Sequence, residues 1–159
     1  MPAREMVQDY VIRIDREGRW FYNGSQIIHP KVLKVFNDGL FLGEDTNHYL
    51  RVDDDIAYIE VEDTPFIVRR VGPIEREREL AGFTIGLSDG TEETLDLGSL
   101  EINRNNIPYC RVRKGMRARF TSQAYYMLAE YIEYDERDDS YFVRSGGTTH
   151  TIIYQGQSQ

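Results

Sequence analysis

Five cations fall within nine residues, 111–119, of a chain whose net charge is −8. They are Arg111, Arg113, Lys114, Arg117 and Arg119, interleaved with Val112, Gly115, Met116 and Ala118. Residues 109–113 and 116–120 read as two strands about Lys114-Gly115, and loop length decides where the cations point. A two-residue turn would set inward positions of one strand opposite outward positions of the other. A three-residue loop ending on a left-handed Gly115 restores parity. Cys110, Val112, Met116, Ala118 and Phe120 then share the core face, while Arg111, Arg117 and Arg119 share the outer face with Tyr109. Like charges directly opposite one another destabilise a sheet, so an anion is expected over that face. Its source stays open. The chain's own 27 Asp and Glu residues are one; a phosphate or carboxylate ligand, which forked guanidinium groups suit, is another. An acidic protein partner is the third.

A second group is carboxylate. Strand alternation over 56–61 puts Ala57, Ile59 and Val61 inward and Tyr58, Glu60 and Glu62 outward, with Asp63 at the strand end before Thr64-Pro65. Adjacent carboxylates can raise one another's pKa or hold a divalent cation. They read equally as a solvated face or as partners for the arginines. Asp53-Asp54-Asp55 lacks the glycine and closing glutamate of a calcium loop and reads as a turn. His29, His48 and His150 have no ligand-spaced partner, so no metal is expected. Cys110, the lone cysteine, excludes an internal disulfide and reads as an apolar filler.

The elements that must position these groups follow from periodicity. Residues 10–14 and 19–22 read as strands, with a hairpin signal at Asn23-Gly24. A helix over 30–40 opens on Pro30, and two strands, 49–52 and 56–61, follow it. Arg69 to Leu80, with Gly72-Pro73 and a Glu/Arg alternation, reads as a connector or exposed edge strand. Further hairpins are expected at 83–95 and 109–120. A helix follows over 122–134, with Tyr125, Leu128, Ala129 and Ile132 on one apolar face. A last hairpin turns at 145–147. Large apolar residues recur at a separation of 92, so that Leu40 meets Ile132, Tyr49 meets Tyr141, Leu50 meets Phe142 and Val61 meets Ile153. The expected fold is therefore α+β, in two similar halves over 1–72 and 73–159, each an antiparallel sheet with one helix. Two such halves leave a seam, a preferred place for ligands. Trp20 is expected either to line that seam or to plug its own half.

Composition bounds the function. A chain 40% hydrophobic and 12% aromatic can bury a real core. The negative charge argues against general binding to nucleic acid, whose phosphates need a basic footprint, and against docking on anionic lipid. No apolar run approaches the roughly 20 residues of a membrane span, and residues 1–9 lack a signal peptide's apolar stretch. The cytoplasm is the expected compartment.

At Asp15-Arg16-Glu17-Gly18-Arg19-Trp20-Phe21-Tyr22-Asn23-Gly24-Ser25, and at Val61-Glu62-Asp63-Thr64-Pro65-Phe66, the chain resembles the bacterial domain of unknown function twelve eighty-five. The stretch Gly115 to Leu128, with Ala118-Arg119-Phe120, is similar to its third signature. The resemblance implies a duplicated α+β core whose C-terminal half is superficially like a pleckstrin-homology domain. It also implies a ligand site at the interface of the halves, for a nucleotide-like compound, and a role in signalling. Together these readings point to a binding module for a small anionic ligand, without a cofactor, in a sensory or regulatory role. Arg119, Arg117, Arg111, Glu62, Asp63 and Trp20 are the candidate contacts. A protein-interaction adaptor and an enzyme using Glu62 or Asp63 as a base are the alternatives.

Overall fold

The computed structural model describes residues 8–155. The chain divides into two compact units, one of Met1–Pro65 with Arg113–Met116, the other of Phe66–Val112 with Arg117–Gln159.

In the first unit, strands β1 (Ile12–Ile14), β2 (Trp20–Tyr22) and β3 (Ser25–Gln26) form a meander. Helix α1 (Pro30–Gly39) follows, then a second meander of β4 (Leu40–Leu42), β5 (His48–Val52) and β6 (Asp55–Val61). The sheet runs β3-β2-β1-β6-β5-β4, and a parallel pairing of β1 with β6 joins the meanders. Asn23 and Gly24, with φ of 47° and 85°, supply the left-handed pair that a tight hairpin needs. Ile12, Ile14, Leu40, Leu50 and Ile59 alternate inward and are buried.

Local chemistry explains the bounds of α1. His29 caps it, its Nδ1 accepting the Lys31 N–H at 3.2 Å, and Pro30 fills a position whose missing N–H costs nothing. At the other end, a Cβ on Gly39 would lie 2.0 Å from the Arg51 carbonyl oxygen, so only glycine allows this approach. The Lys114 ammonium donates to the carbonyls of Asp38 and Leu40, at 3.3 Å each. It supplies the cation that the negative end of a helix favours.

The second unit opens with β7 (Phe66–Arg76), β8 (Glu79–Leu87) and β9 (Glu92–Thr94). There follow β10 (Glu101–Ile102), β11 (Pro108–Arg111), β12 (Arg117–Phe120), α2 (Ser122–Ala129), β13 (Ile132–Asp135), β14 (Ser140–Ser145) and β15 (Thr148–Tyr154). Its sheet runs β13-β14-β15-β10-β11-β12-β7-β8-β9. From β10 onwards the order is that of the first unit: meander, helix, meander, joined by a parallel pairing, here β10 with β15. The extra strands β7–β9 attach through a parallel pairing of β7 with β12. Thr121 caps α2, its Oγ1 accepting the Ala124 N–H at 3.1 Å, and Ala124 and Leu128 are buried.

Five expectations are corrected. The sheets are mixed: parallel pairings close both repeated patterns, because a strand after a helix can return beside the first strand in the same direction. The units divide at Pro65/Phe66 and not at 72/73. Of the two readings of Arg69 to Leu80 the strand holds and the connector does not: it is the tip of the β7–β8 hairpin, turning on Glu77 and Arg78 at φ 54° and 70°. The second helix stops at Ala129, and Ile132 opens β13. Leu40 likewise opens β4 instead of closing α1. Finally, the separation of 92 holds for Leu40 and Ile132 but slips by one afterwards. Leu40 pairs with Leu50, and Ile132 pairs with Val143, which stands 93 positions after Leu50. With a side-chain period of two, that slip turns Phe142 and Ile153 to the outer face, and Ile153 is 56% exposed.

Candidate functional site

The outer face of the β10–β11–β12 meander carries the predicted arginine group. Tyr109 pairs with Arg119, Cys110 with Ala118, and Arg111 with Arg117. The expected parity is observed: Cys110, Val112, Met116, Ala118 and Phe120 are all buried. Lys114 and Gly115, at φ 59° and 74°, take the left-handed positions of the loop. Arg111 and Arg117 thus face one another across two strands.

Beside them the backbone leaves the sheet. Glu101 opposes Tyr109 at the end of β10, and the residues before it, Leu97–Ser99, wind into a short 3-10 turn. Asp96 caps this turn, its carboxylate accepting the Gly98 N–H at 3.1 Å. The Ser99 hydroxyl takes over where the ladder stops. It accepts the Arg111 N–H at 2.8 Å and donates to the Asp96 carbonyl at 2.7 Å. The departure opens a cleft of about 320 Å³, lined by Asp96, Gly98, Ser99, Glu101, Tyr109, Cys110, Arg111, Arg117 and Ile153.

The electrostatics of this cleft are mixed. Arg117 Nη2 lies 2.7 Å from Glu101 Oε1, and its guanidinium carbon sits 4.4 Å from the centre of the Tyr109 ring. The Tyr109 ring is accordingly covered, although it points outward. Burial pushes the Cys110 thiol up to about 12, with Glu93 and Asp96 adding to the effect and Arg117 opposing it. Cys110 is therefore a packed thiol, without the thiolate that nucleophilic chemistry requires.

Of the residues anticipated from sequence, Arg111 and Arg117 meet at this cleft, and Arg119 shares their face one strand pair further along. The others belong to the first unit. Trp20 is buried against Phe36, ring centres 5.5 Å apart. Glu62 accepts from Arg13 at 3.2 Å, and from the backbone N–H and Nε of Arg16 at 3.3 Å each. Asp63 is half-buried beyond the end of β6. Among the described residues, no group of three or more His, Cys, Asp or Glu side chains is placed to hold a metal ion. No described helix is long and apolar enough to cross a membrane.

Sequence reading missed Asp96, Ser99 and Glu101. A signal existed for the first two, since Asp-Leu-Gly-Ser is a turn-capping pattern. Glu101 lies in a two-residue strand, too short to show a period.

Residues 3–64 match the sequence profile of Domain of unknown function (DUF1285), N-terminal domain. Two solved structures are similar over most of the chain. A DUF1285 family protein from Silicibacter pomeroyi superposes with a TM-score of 0.75 at 23% identity, covering 96% of this chain and 87% of its own. A second, from Shewanella baltica, gives 0.64 at 19% identity, covering 77% of this chain and 92% of its own. They share the fold described here, a mixed α+β arrangement with two sheets and two α-helices among the described residues of this chain. No curated protein matches the sequence.

Proposed function

We propose that this protein is a binding module whose cleft in the second unit takes a small ligand through an anionic group. One observation carries the reading: Arg111 and Arg117 stand opposite one another at the mouth of a cleft of about 320 Å³. A carboxylate or phosphate suits the forks of two guanidiniums carried side by side on neighbouring strands. Nucleotide-like compounds are the class that the family resemblance suggests. A sensory or regulatory role in the cytoplasm goes with the reading, as do an origin of the two units by duplication and a pleckstrin-homology-like outline for the second.

Thermal unfolding against a panel of nucleotides and phosphorylated metabolites tests it. A bound compound at about 100 times its dissociation constant adds about 2.7 kcal/mol, or a few degrees for a chain of this size. Arg117→Ala is expected to remove that shift while leaving the unliganded melting temperature within a degree or two. A shift that survives Arg117→Ala together with Arg111→Ala places the ligand elsewhere.

A second reading, an adaptor for another protein, is favoured by exposed apolar side chains at Ile28, Val32 and Val35 of the α1 region and at Tyr126 and Met127 of α2. Val35→Asp would weaken capture of such a partner without changing ligand binding. For the enzyme reading, with Glu62 or Asp63 as base, both oxygens of Glu62 are engaged by arginine.

A further inference from the structure

The second sheet ends on an open strand. β13 pairs with β14 on one side, and on the other it closes the strand order with no further strand among the described residues. Such an edge presents main-chain N–H and C=O groups to any extended chain that can lie beside it. Alternation divides its side chains between two faces. Ile132 and Tyr134 share one, opposite Val143 and Tyr141. Tyr134 is 46% exposed, with its ring centre 5.0 Å from that of Tyr141. Glu133 and Asp135 share the other face. The edge is also where the chain's charge collects: residues 130–139 hold six carboxylates and one guanidinium, a net −5 in a chain of −8.

Charge decides what can pair there. A second copy would set this acidic stretch against itself, and like charges across a strand pair destabilise it. A cationic strand meets the reverse. Glu133 and Asp135 do have partners of their own, Arg144 Nη2 at 4.0 Å and Arg137 Nε at 3.8 Å. Both guanidiniums are exposed and both distances are long, so these pairs hold little energy. A carboxylate also has acceptor sites for a second donor. Asp139 accepts the Tyr134 hydroxyl at 2.6 Å, which fixes the ring at the edge, where its face attracts a cation.

We propose that β13 takes an added strand from a basic partner, an extended segment in which Lys or Arg alternates with apolar residues. Its cations meet Glu133 and Asp135, and its apolar side chains lie beside Ile132 and Tyr134. Main-chain hydrogen bonds supply the attachment and the alternating side chains supply the selection. Four residues make a short ladder, so binding is expected in the micromolar range or weaker. The proposal depends neither on the cleft nor on the helix surfaces.

Calorimetry with the whole protein at low salt tests it with three capped heptapeptides. One alternates lysine with valine, one holds the same residues in two blocks, and one alternates glutamate with valine. The first is expected to bind at least tenfold more tightly than either of the others. Glu133→Gln together with Asp135→Asn is expected to weaken it at least tenfold. Backbone N-methylation then separates strand pairing from charge, because an added strand turns only alternate N–H groups to the edge. Methylating one alternate set should abolish binding, and methylating the other should leave it within a few-fold. Equal binding of the block peptide, an equal response to the two methylations, or no change in the double variant overturns the proposal. So does the absence of binding at millimolar concentration.

Discussion

The two units place the same three-part contact on their outer faces and use it differently. In the first, Arg13 pairs with Phe21 across β1 and β2, its guanidinium carbon 5.5 Å from the ring centre, and reaches Glu62. In the second, Arg117 lies over Tyr109 and reaches Glu101. Phe21 and Tyr109 occupy equivalent positions, each opposite the outward residue of the strand that pairs in parallel with the last one. The charges are exchanged: that central residue is Arg13 in one unit and Glu101 in the other. What differs is where the carboxylates go. Glu62 also accepts the Arg16 N–H. Asp15 accepts the N–H groups of Glu17 and Arg19 and the Arg19 Nε. These carboxylates hold a turn in shape. In the second unit Asp96 likewise caps a turn, while Glu101 meets Arg117 beside a cleft. A shared strand order does not fix what a face offers; the first unit ties its carboxylates into a turn, and the second leaves a cleft beside Glu101.

The helices offer the sharpest way to break the comparison. Leu128→Ala in α2 removes a fully buried side chain and should cost about 2–5 kcal/mol. Val32→Ala in α1, where Val32 is 37% exposed, should cost less than about 1 kcal/mol. The lone tryptophan and lone cysteine make this measurable unit by unit: Trp20 fluorescence reports the first, and alkylation of buried Cys110 the second. Equal costs would mean that α1 is as deeply packed as α2.

Asp15→Asn should have the next largest effect, about 1–3 kcal/mol, because part-buried N–H groups lose a charged acceptor. Burial alone would raise the Asp15 carboxyl. The Arg19 N–H and guanidinium and the Glu17 N–H outweigh it and hold the group below its ordinary range. A depressed pKa means that the stabilisation is complete at neutral pH. It is lost as pH falls below the unfolded value of about 3.9 and through the lower folded one. Urea titrations of wild type and variant should therefore differ at pH 7 and converge in acid. A difference constant with pH would discount the carboxylate.

Smaller effects test the faces themselves. Arg13→Ala and Arg117→Ala should each cost under about 1 kcal/mol, since both pairs are solvent-exposed. Only the second should alter ligand binding. Smallest of all, Arg111→Thr should change stability by about half a kcal/mol or less, because losing the Arg111–Arg117 opposition offsets the lost contacts. A loss above 2 kcal/mol would show that Arg111 carries structure instead of recognition.

Much of the arginine face was legible because its cause is local. Alternation, a glycine able to turn left-handed and a three-residue loop dictate which residues share a side, and Cys110 to Phe120 follow that rule. The β1 and β10 pairings were not legible, because a parallel partner lies a helix and a meander away in sequence. The slip from 92 to 93 was hidden for a related reason. Phe142 and Ile153 are as apolar as the inward Val143 and Ile152, so hydrophobicity could not tell the two faces apart. The cleft escaped because it depends on where β10 begins, and a strand of two residues has no pattern to read.

Lys114 gives the chain an unusual grammar. The ammonium that completes the carbonyl end of α1 is written 76 positions after Asp38, inside a hairpin whose two strands belong to the other unit. A gene broken at Pro65 would yield a first part whose helix lacks that terminal counter-charge, a loss of about 0.3–1 kcal/mol. Recombination that swaps one unit for a relative's must carry residues 113–116 along as a passenger, or choose a recipient whose own loop supplies a cation there.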